Sequence, residues 1–209
     1  MNRFGDRRLY LCTPIQKDLA AFVESCVKGG VDIVQLREKN APDREIVAAA
    51  RQLSRLLRPM GIPFIINDRP DIAILSGADG VHVGQDDLSP GEVRSILGSG
   101  AIVGTSNHSA TEHLRSIREP CDYLSIGPVA ETPTKPGRPG TGVDLVREAA
   151  SVRDGRPRYV TGGVTPQTIP EIARAGGTHF VVVRYLTTSN DPRGAATKLR
   201  RAIEAALGR

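Results

Sequence analysis

The sequence predicts an α/β protein, a single-domain (β/α)8 barrel of near-minimal length covering residues 1–209. Three observations predict it. Short apolar runs rich in Val and Ile recur eight times, helix-start signals fall between them, and polar residues follow nearly every run. At a mean spacing of roughly 26 residues, this alternation fits parallel strands closed into a ring. An open doubly wound sheet is the runner-up, but it concentrates polar residues at one switch point.

The eight strand segments are Leu9–Cys12, Ile33–Leu36, Phe64–Ile66, Gly80–Val83, Ala101–Val103, Tyr123–Ile126, Tyr159–Val160 and Phe180–Val183. Each is too short for a helix, and most are apolar enough to be buried on both faces. Helices are expected to open at Pro42-Asp43, Ser89-Pro90, Thr165-Pro166 and Asp191-Pro192, because a capping residue followed by Pro at the first helical position starts a helix well. Gly29, Gly61, Gly98 and Gly176 stand where left-handed helix terminators are expected. No linker or composition break marks a second domain.

Apolar residues at 39% and charged residues at 24% fit a globular chain. With no Trp and only 4% aromatic residues, a stacking surface for single-stranded nucleic acid is not expected. Lys and Arg (28) outnumber Asp and Glu (23) and are spread along the chain. That surplus reads either as a solvated surface or as an aid in gathering anionic substrates. Cys12, Cys26 and Cys121 are odd in number and lack metal-binding spacing, which suits reduced thiols. Residues 1–8 lack the apolar core of a signal peptide, and no apolar run approaches the ~20 residues of a membrane helix. A cytoplasmic location is expected, with no nucleic-acid or membrane partner and a homo-oligomer left open.

In such a barrel, residues just past the strand ends face a common site. After the second strand stands Gln35-Leu36-Arg37-Glu38-Lys39, in which alternation sends Gln35, Arg37 and Lys39 to one side and Leu36 to the other. An amide and two cations there suit a polyanion; the plain alternative is a solvated charged loop. Asn67-Asp68 follows the third strand, and Gly84-Gln85-Asp86-Asp87 the fourth. Asp68 and Asp87 could share one Mg²⁺, which favours one or two carboxylates plus water and phosphate oxygens, or they could cap the helices that follow. Asp86 is the weaker candidate. Ser106 lies after the fifth strand; His108 has no acidic sequence neighbour to suggest a triad, and His82 reads as a satisfied core histidine. The long connection after the sixth strand, 128–142, carries Thr132, Thr134 and Lys135 among Pro and Gly and reads as a mobile lid. Gly162-Gly163 after the seventh strand would let a phosphate approach backbone N–H groups.

Gln35 to Lys39, Asn67-Asp68, His82 to Asp87, Gly127 to Val129, Thr132 to Gly137 and Gly162-Gly163 together resemble the thiamine phosphate synthase family, in register from about Leu9 to Arg201. The resemblance implies a transferase that joins a pyrimidine diphosphate to a thiazole phosphate and releases pyrophosphate. It gives the diphosphate substrate to Gln35, Leu36, Arg37, Glu38, Lys39, Asn67, Ser106 and Lys135. Thr132, Pro133, Thr134, Gly163, Val183 and Arg184 fall to the thiazole phosphate, and Asp68 and Asp87 to Mg²⁺. Arg37, Lys39 and Lys135 are implied as the catalytic cations. Two positions depart from the pattern. Arg184-Tyr185 stands where many relatives have Ser-Ala, and Thr161 replaces an apolar residue.

A thiazole tautomerase of the same fold is the nearest rival; members of that branch often carry His where this chain has Pro128. A sugar-phosphate barrel enzyme would want a paired acid and base near a carbon acid. A non-catalytic ligand-sensing paralogue is the third alternative.

Overall fold

The computed structural model describes residues 6–131 and 140–208. Eight parallel strands close into a ring in sequence order. They are β1 (Leu9–Thr13), β2 (Ile33–Leu36), β3 (Phe64–Asn67), β4 (Gly80–Val83), β5 (Ile102–Asn107), β6 (Tyr123–Ile126), β7 (Arg158–Val160) and β8 (His179–Val182). β8 pairs back onto β1, with Leu9 opposite Phe180. The eight expected strands are present, and β5 is longer than its apolar run, reaching Asn107 through Thr105 and Ser106.

Around the ring lie α1 (Leu19–Lys28), α2 (Asp43–Leu57), α3 (Pro70–Ser76), α4 (Pro90–Leu97), α5 (Ala110–Ser116), α6 (Asp144–Ser151), α7 (Ile169–Arg174), α8 (Arg184–Thr187) and α9 (Pro192–Ala206). Three expected starts hold: α2 opens at Asp43, α4 carries a full capping box between Ser89 and Glu92, and the Asp191 carboxylate caps α9 at Gly194 N. The fourth is displaced. Thr165 and Thr168 hydrogen-bond each other's backbone N–H, making a separate turn, so α7 begins only at Ile169. Gly61 is left-handed as expected and Gly176 has positive φ; Gly98 also has positive φ (79) but with ψ 173 lies outside the left-handed helical region, and Gly29 is right-handed, the turn passing to Gly30.

Strand alternation divides the core in two. Outward residues such as Leu11, Val34, Leu36, Val103, Leu124 and Phe180 pack under the helices. Inward residues Tyr10, Ile33, Ile65, Ile102, Tyr123 and Tyr159 fill the barrel. Tyr159 meets Tyr10 and Tyr123 edge-on, with ring centres 5.3 and 5.5 Å away. Space for Tyr123 depends on Gly104, where a Cβ would lie 2.0 Å from the ring.

At the amino ends of the strands, the carboxylates just before β2, β4 and β6 receive amides at the start of the strand preceding each. Asp32 accepts from Arg8 and Leu9 N (both 2.9 Å), Asp79 from Phe64 N (2.8 Å) and Asp122 from Val103 N (2.8 Å). These bonds satisfy otherwise orphaned N–H groups.

Candidate active site

The carboxyl ends of the strands enclose a cavity of about 240 Å³. Its walls bring together Gln35 of β2 and Arg37 just after it, Asn67 of β3, Ser106 of β5, Gly163 after β7, and Val183 and Arg184 after β8. The β2 alternation is as read. Gln35 faces the barrel, while Leu36, only 1% exposed, is packed in the outer core. Glu38 turns back to accept from the backbone N–H of Ile15, Lys39 and Asn40, which holds its carboxyl below the usual range. Leu36 and Glu38 thus shape the loop, and their side chains are committed elsewhere than a ligand. Among the described residues, the Arg37 and Arg184 guanidinium groups take part in no ion pair.

Beside the cavity, Asp68 sits in a left-handed conformation (φ 61) that Asp tolerates better than most residues. Its carboxylate receives Asn67 Nδ2 at 2.6 Å and lies 3.3 Å from Lys39 Nζ, with Asp87 near enough to act on its charge. Burial, and then Asp87, push the Asp68 carboxyl above its ordinary value; Lys39 opposes them. Neighbouring carboxylates oppose each other's charge, a cost that a shared cation would relieve. Neither residue caps a helix: the residue before α3 is Arg69, and the one capping α4 is Ser89. Asp87 Oδ2 accepts instead from Gly84 N at 2.9 Å. Asp86 is exposed. Among the described residues no three His, Cys, Asp or Glu side chains converge on a metal position. A hard cation here would therefore rest on two carboxylates, the number Mg²⁺ uses when phosphate oxygens and water complete its shell.

At the opposite rim, Gly162 and Gly163 both have positive φ (89 and 72). A Cβ on Gly162 would lie 2.4 Å from Pro128. Val183 precedes the short α8, which Arg184 opens. Loops after the seventh and eighth strands and a short extra helix form the common phosphate site of this architecture. Thr132, Pro133, Thr134 and Lys135, and with them the middle of the 128–142 connection, lie outside the described residues. The roots of that connection are tied down, with Val129 N donating to Thr161 O (2.8 Å) and Thr141 N to Pro128 O (2.8 Å).

Beneath the cavity runs a buried polar chain. Gln35 Nε2 donates to Tyr10 OH at 2.8 Å, Tyr10 OH meets Tyr123 OH at 2.9 Å, Tyr123 OH meets His82 Nδ1 at 2.9 Å, and His82 Nε2 meets Ser106 Oγ at 2.8 Å. His82 is the satisfied core histidine the sequence suggested. His108 does have an acidic neighbour, one helical turn on: its Nδ1 is 3.0 Å from Glu112 Oε2. Sequence reading did not assign a site role to Tyr10, Cys12, Tyr123, Ser125 or Thr188, which also line the cavity, as does Tyr185, noted there only as a departure from the pattern. For the first four the signal was available, since Tyr10 and Cys12, and Tyr123 and Ser125, alternate to the inner face.

A family model described as thiamine monophosphate synthase matches residues 9–186. The chain is 41% identical to a thiamine-phosphate synthase of Mycolicibacterium smegmatis, over 99% of this chain and 96% of that one. It is 44% identical to a thiamine-phosphate synthase of Thermus thermophilus, over 86% of each. The solved thiamine phosphate pyrophosphorylase of Pyrococcus furiosus superposes with a TM-score of 0.86 at 29% identity, covering 97% of this chain and 98% of that one. A 3-hexulose-6-phosphate synthase of Salmonella typhimurium, at 18% identity and TM-score 0.72, shares the barrel.

Proposed function

The chain belongs to the thiamine monophosphate synthase family, and we propose that it is a transferase performing that family's reaction. It condenses 4-amino-2-methyl-5-pyrimidinylmethyl diphosphate with 4-methyl-5-hydroxyethylthiazole phosphate, or its carboxylated form, giving thiamine phosphate and pyrophosphate. The observation that carries this reading is one cavity with an uncommitted cation and an amide (Arg37, Gln35) at one rim and a phosphate cradle (Gly163, Val183, Arg184) at the other. Such a site holds two anions with their reacting ends between them.

Arg37 and Lys39 bind the diphosphate, Lys135 from the following loop joins them, and Asn67 and Ser106 orient it. Asp68 and Asp87 would hold Mg²⁺, whose chemistry is to neutralise charge on the departing diphosphate. The carbon–oxygen bond to the diphosphate breaks first, and the electron-rich aminopyrimidine carries the positive charge that develops on the methylene. The thiazole nitrogen then attacks with its own lone pair, so no strong general base is needed. Backbone N–H groups near Gly163 and Val183, with Arg184, Thr132, Pro133 and Thr134, fix the thiazole phosphate. Electrostatic stabilisation of the leaving group and alignment of two rings account for the rate.

The test is pyrophosphate release with each substrate alone, with both, and with or without Mg²⁺. Release requiring both substrates and metal, matched by an equal amount of thiamine phosphate, supports the reading. No release from the complete mixture refutes it and favours a tautomerase or a sensing paralogue.

A further inference from the structure

Two cations follow β2 on one loop, and they stand differently. Arg37 lines the cavity and takes part in no ion pair among the described residues. Lys39 is not among the described residues that line the cavity. Its ammonium, half exposed, lies 3.3 Å from Asp68 Oδ2 on the neighbouring loop. Lys39 and Asp68 instead border a second hollow of about 260 Å³, bounded also by Ile46 of α2 and Ile72 of α3. The backbone beneath Lys39 is fixed, because Glu38 Oε1 accepts from Lys39 N at 2.9 Å and from Asn40 N at 3.0 Å. The ammonium, on its long flexible stem, can therefore change partner by side-chain rotation alone.

Asp68 is where two cations have the same claim. The Asp68 and Asp87 carboxylates oppose each other, and Lys39 offsets one of their two negative charges. A divalent cation would offset both. The two cannot share the place. A hard divalent ion keeps waters whose hydrogens point outward, and an ammonium is a donor only, so it finds no acceptor beside a hydrated metal. We propose that Lys39 and the metal compete for Asp68, so that arrival of the metal hands the Lys39 ammonium over to the diphosphate. This deepens the proposed function and rests on it for the identity of the metal and of the anion. The consequence is an order of events built into one loop. Without metal a diphosphate meets Arg37 while Lys39 is held away; with metal it meets both.

The first test titrates the substrate-free full-length chain with manganese(II), a hard cation that takes the same oxygen ligands, and reads the loss of the free ion's EPR signal. Lys39→Met should bind the metal about fivefold tighter than wild type, the scale of one partly exposed ion pair. Arg37→Met removes an equal charge from the same loop without freeing Asp68, so its gain should be smaller. Equal gains would reduce Lys39 to a general field and overturn the proposal. An unchanged affinity in Lys39→Met, or no manganese binding by either chain, would overturn it too. The second test measures binding of inorganic pyrophosphate by calorimetry with a chelator present. Asp68→Asn keeps a residue that tolerates the left-handed backbone and releases Lys39 without metal. It should tighten pyrophosphate binding about fivefold, and by distinctly less in a Lys39→Met background. The same gain in both backgrounds, or no gain in either, overturns the transfer. Should Asp68→Asn fail to fold, the manganese titration decides alone. A wild type that meets both expectations yet makes no thiamine phosphate overturns the proposed reaction and leaves the exchange of partners standing.

Discussion

Gly104 has one inward neighbour that leaves no room for a side chain, and Gly104→Ala measures how tightly the barrel interior is filled. The added Cβ would lie 2.0, 2.3 and 2.5 Å from Cζ, Cε1 and Cε2 of Tyr123. The ring must move by more than an atom's radius, against Tyr10 and Tyr159 on its other sides. Overpacking of this kind costs about 1–3 kcal/mol. Moving the ring also strains the bonds from Tyr123 OH to Tyr10 and His82, each worth about 1 kcal/mol. The total is about 3–5 kcal/mol, a fall in Tm of about 10 °C for a domain this size. Gly91→Ala in α4 is the control: nothing lies closer than 3.9 Å, and removing a glycine stabilises by about 0.4–1 kcal/mol through the unfolded chain. That entropic gain is common to both substitutions, so their difference in urea and thermal unfolding isolates the clash. If the two variants agree within about 0.5 kcal/mol, the scatter of neutral surface changes, the argument from close packing fails.

Four further outcomes are expected. Asp87→Asn should shift the Mg²⁺ dependence of turnover to higher metal, and an unchanged metal titration would return Asp87 to bracing the Gly84 loop. Lys135→Ala should slow turnover about 10²-fold or more, the usual scale for one preorganised charge-stabilising group; a loss of only a few-fold would remove it from the developing charge. Burial pushes the Cys26 thiol up to about 12. At pH 8 it should therefore escape alkylation until the chain unfolds, and rapid labelling of native protein, read by mass spectrometry, would contradict this. Asp154 is opposed by burial, but Arg158 and Arg156 outweigh it and hold the carboxyl at about 2. Because the folded value lies below the unfolded one, its stabilisation is present above about pH 4 and fades as pH falls through about 2. Screened by solvent, it should amount to about 1 kcal/mol, so the stability gap between wild type and Asp154→Asn should close over that window; a constant gap would refute the pairing.

Much of this architecture is legible because its signals are local. Strand runs such as Phe64–Ile66 and Gly80–Val83 are bounded by turns, and Ser89-Pro90 and Asp191-Pro192 announce their helices within four residues. The errors arise where polar residues are buried by tertiary context. Thr105, Ser106 and Asn107 read as a loop, yet they continue β5 because its neighbour β6 supplies hydrogen bonds on that side and the barrel mouth accommodates their side chains. Thr165-Pro166 looks like a helix start, but Thr165 and Thr168 bond each other's amides in a turn of their own and the helix begins only after it. At the site, Gln35 and Asp68 stand out because an amide or carboxylate beside apolar runs is conspicuous. Tyr10 and Tyr123 do not, because tyrosine in a strand is ordinary and only the closed ring reveals that their hydroxyls meet. Likewise, Glu38 looks as available as Arg37 until the backbone of β1's loop is seen to claim it.

The carboxylates of Asp32, Asp79 and Asp122 have a consequence for how the ring comes apart. Each ties the start of an odd strand to the loop leading into the even strand after it, a reach of fewer than 25 residues along the chain. The barrel is thus a bracelet of three riveted links, β1–β2, β3–β4 and β5–β6. Before β8 the corresponding stretch reads Gly177-Thr178, with no carboxylate to make a fourth rivet. Its closure instead includes the backbone bond from Phe180 N to Arg8 O, which joins opposite ends of the chain. The β7–β8–β1 seam is where the bracelet has its clasp, and the glycine rim proposed to cradle the phosphate hangs from that same seam. A ligand bound there would grip both sides of the one joint that no such carboxylate rivets.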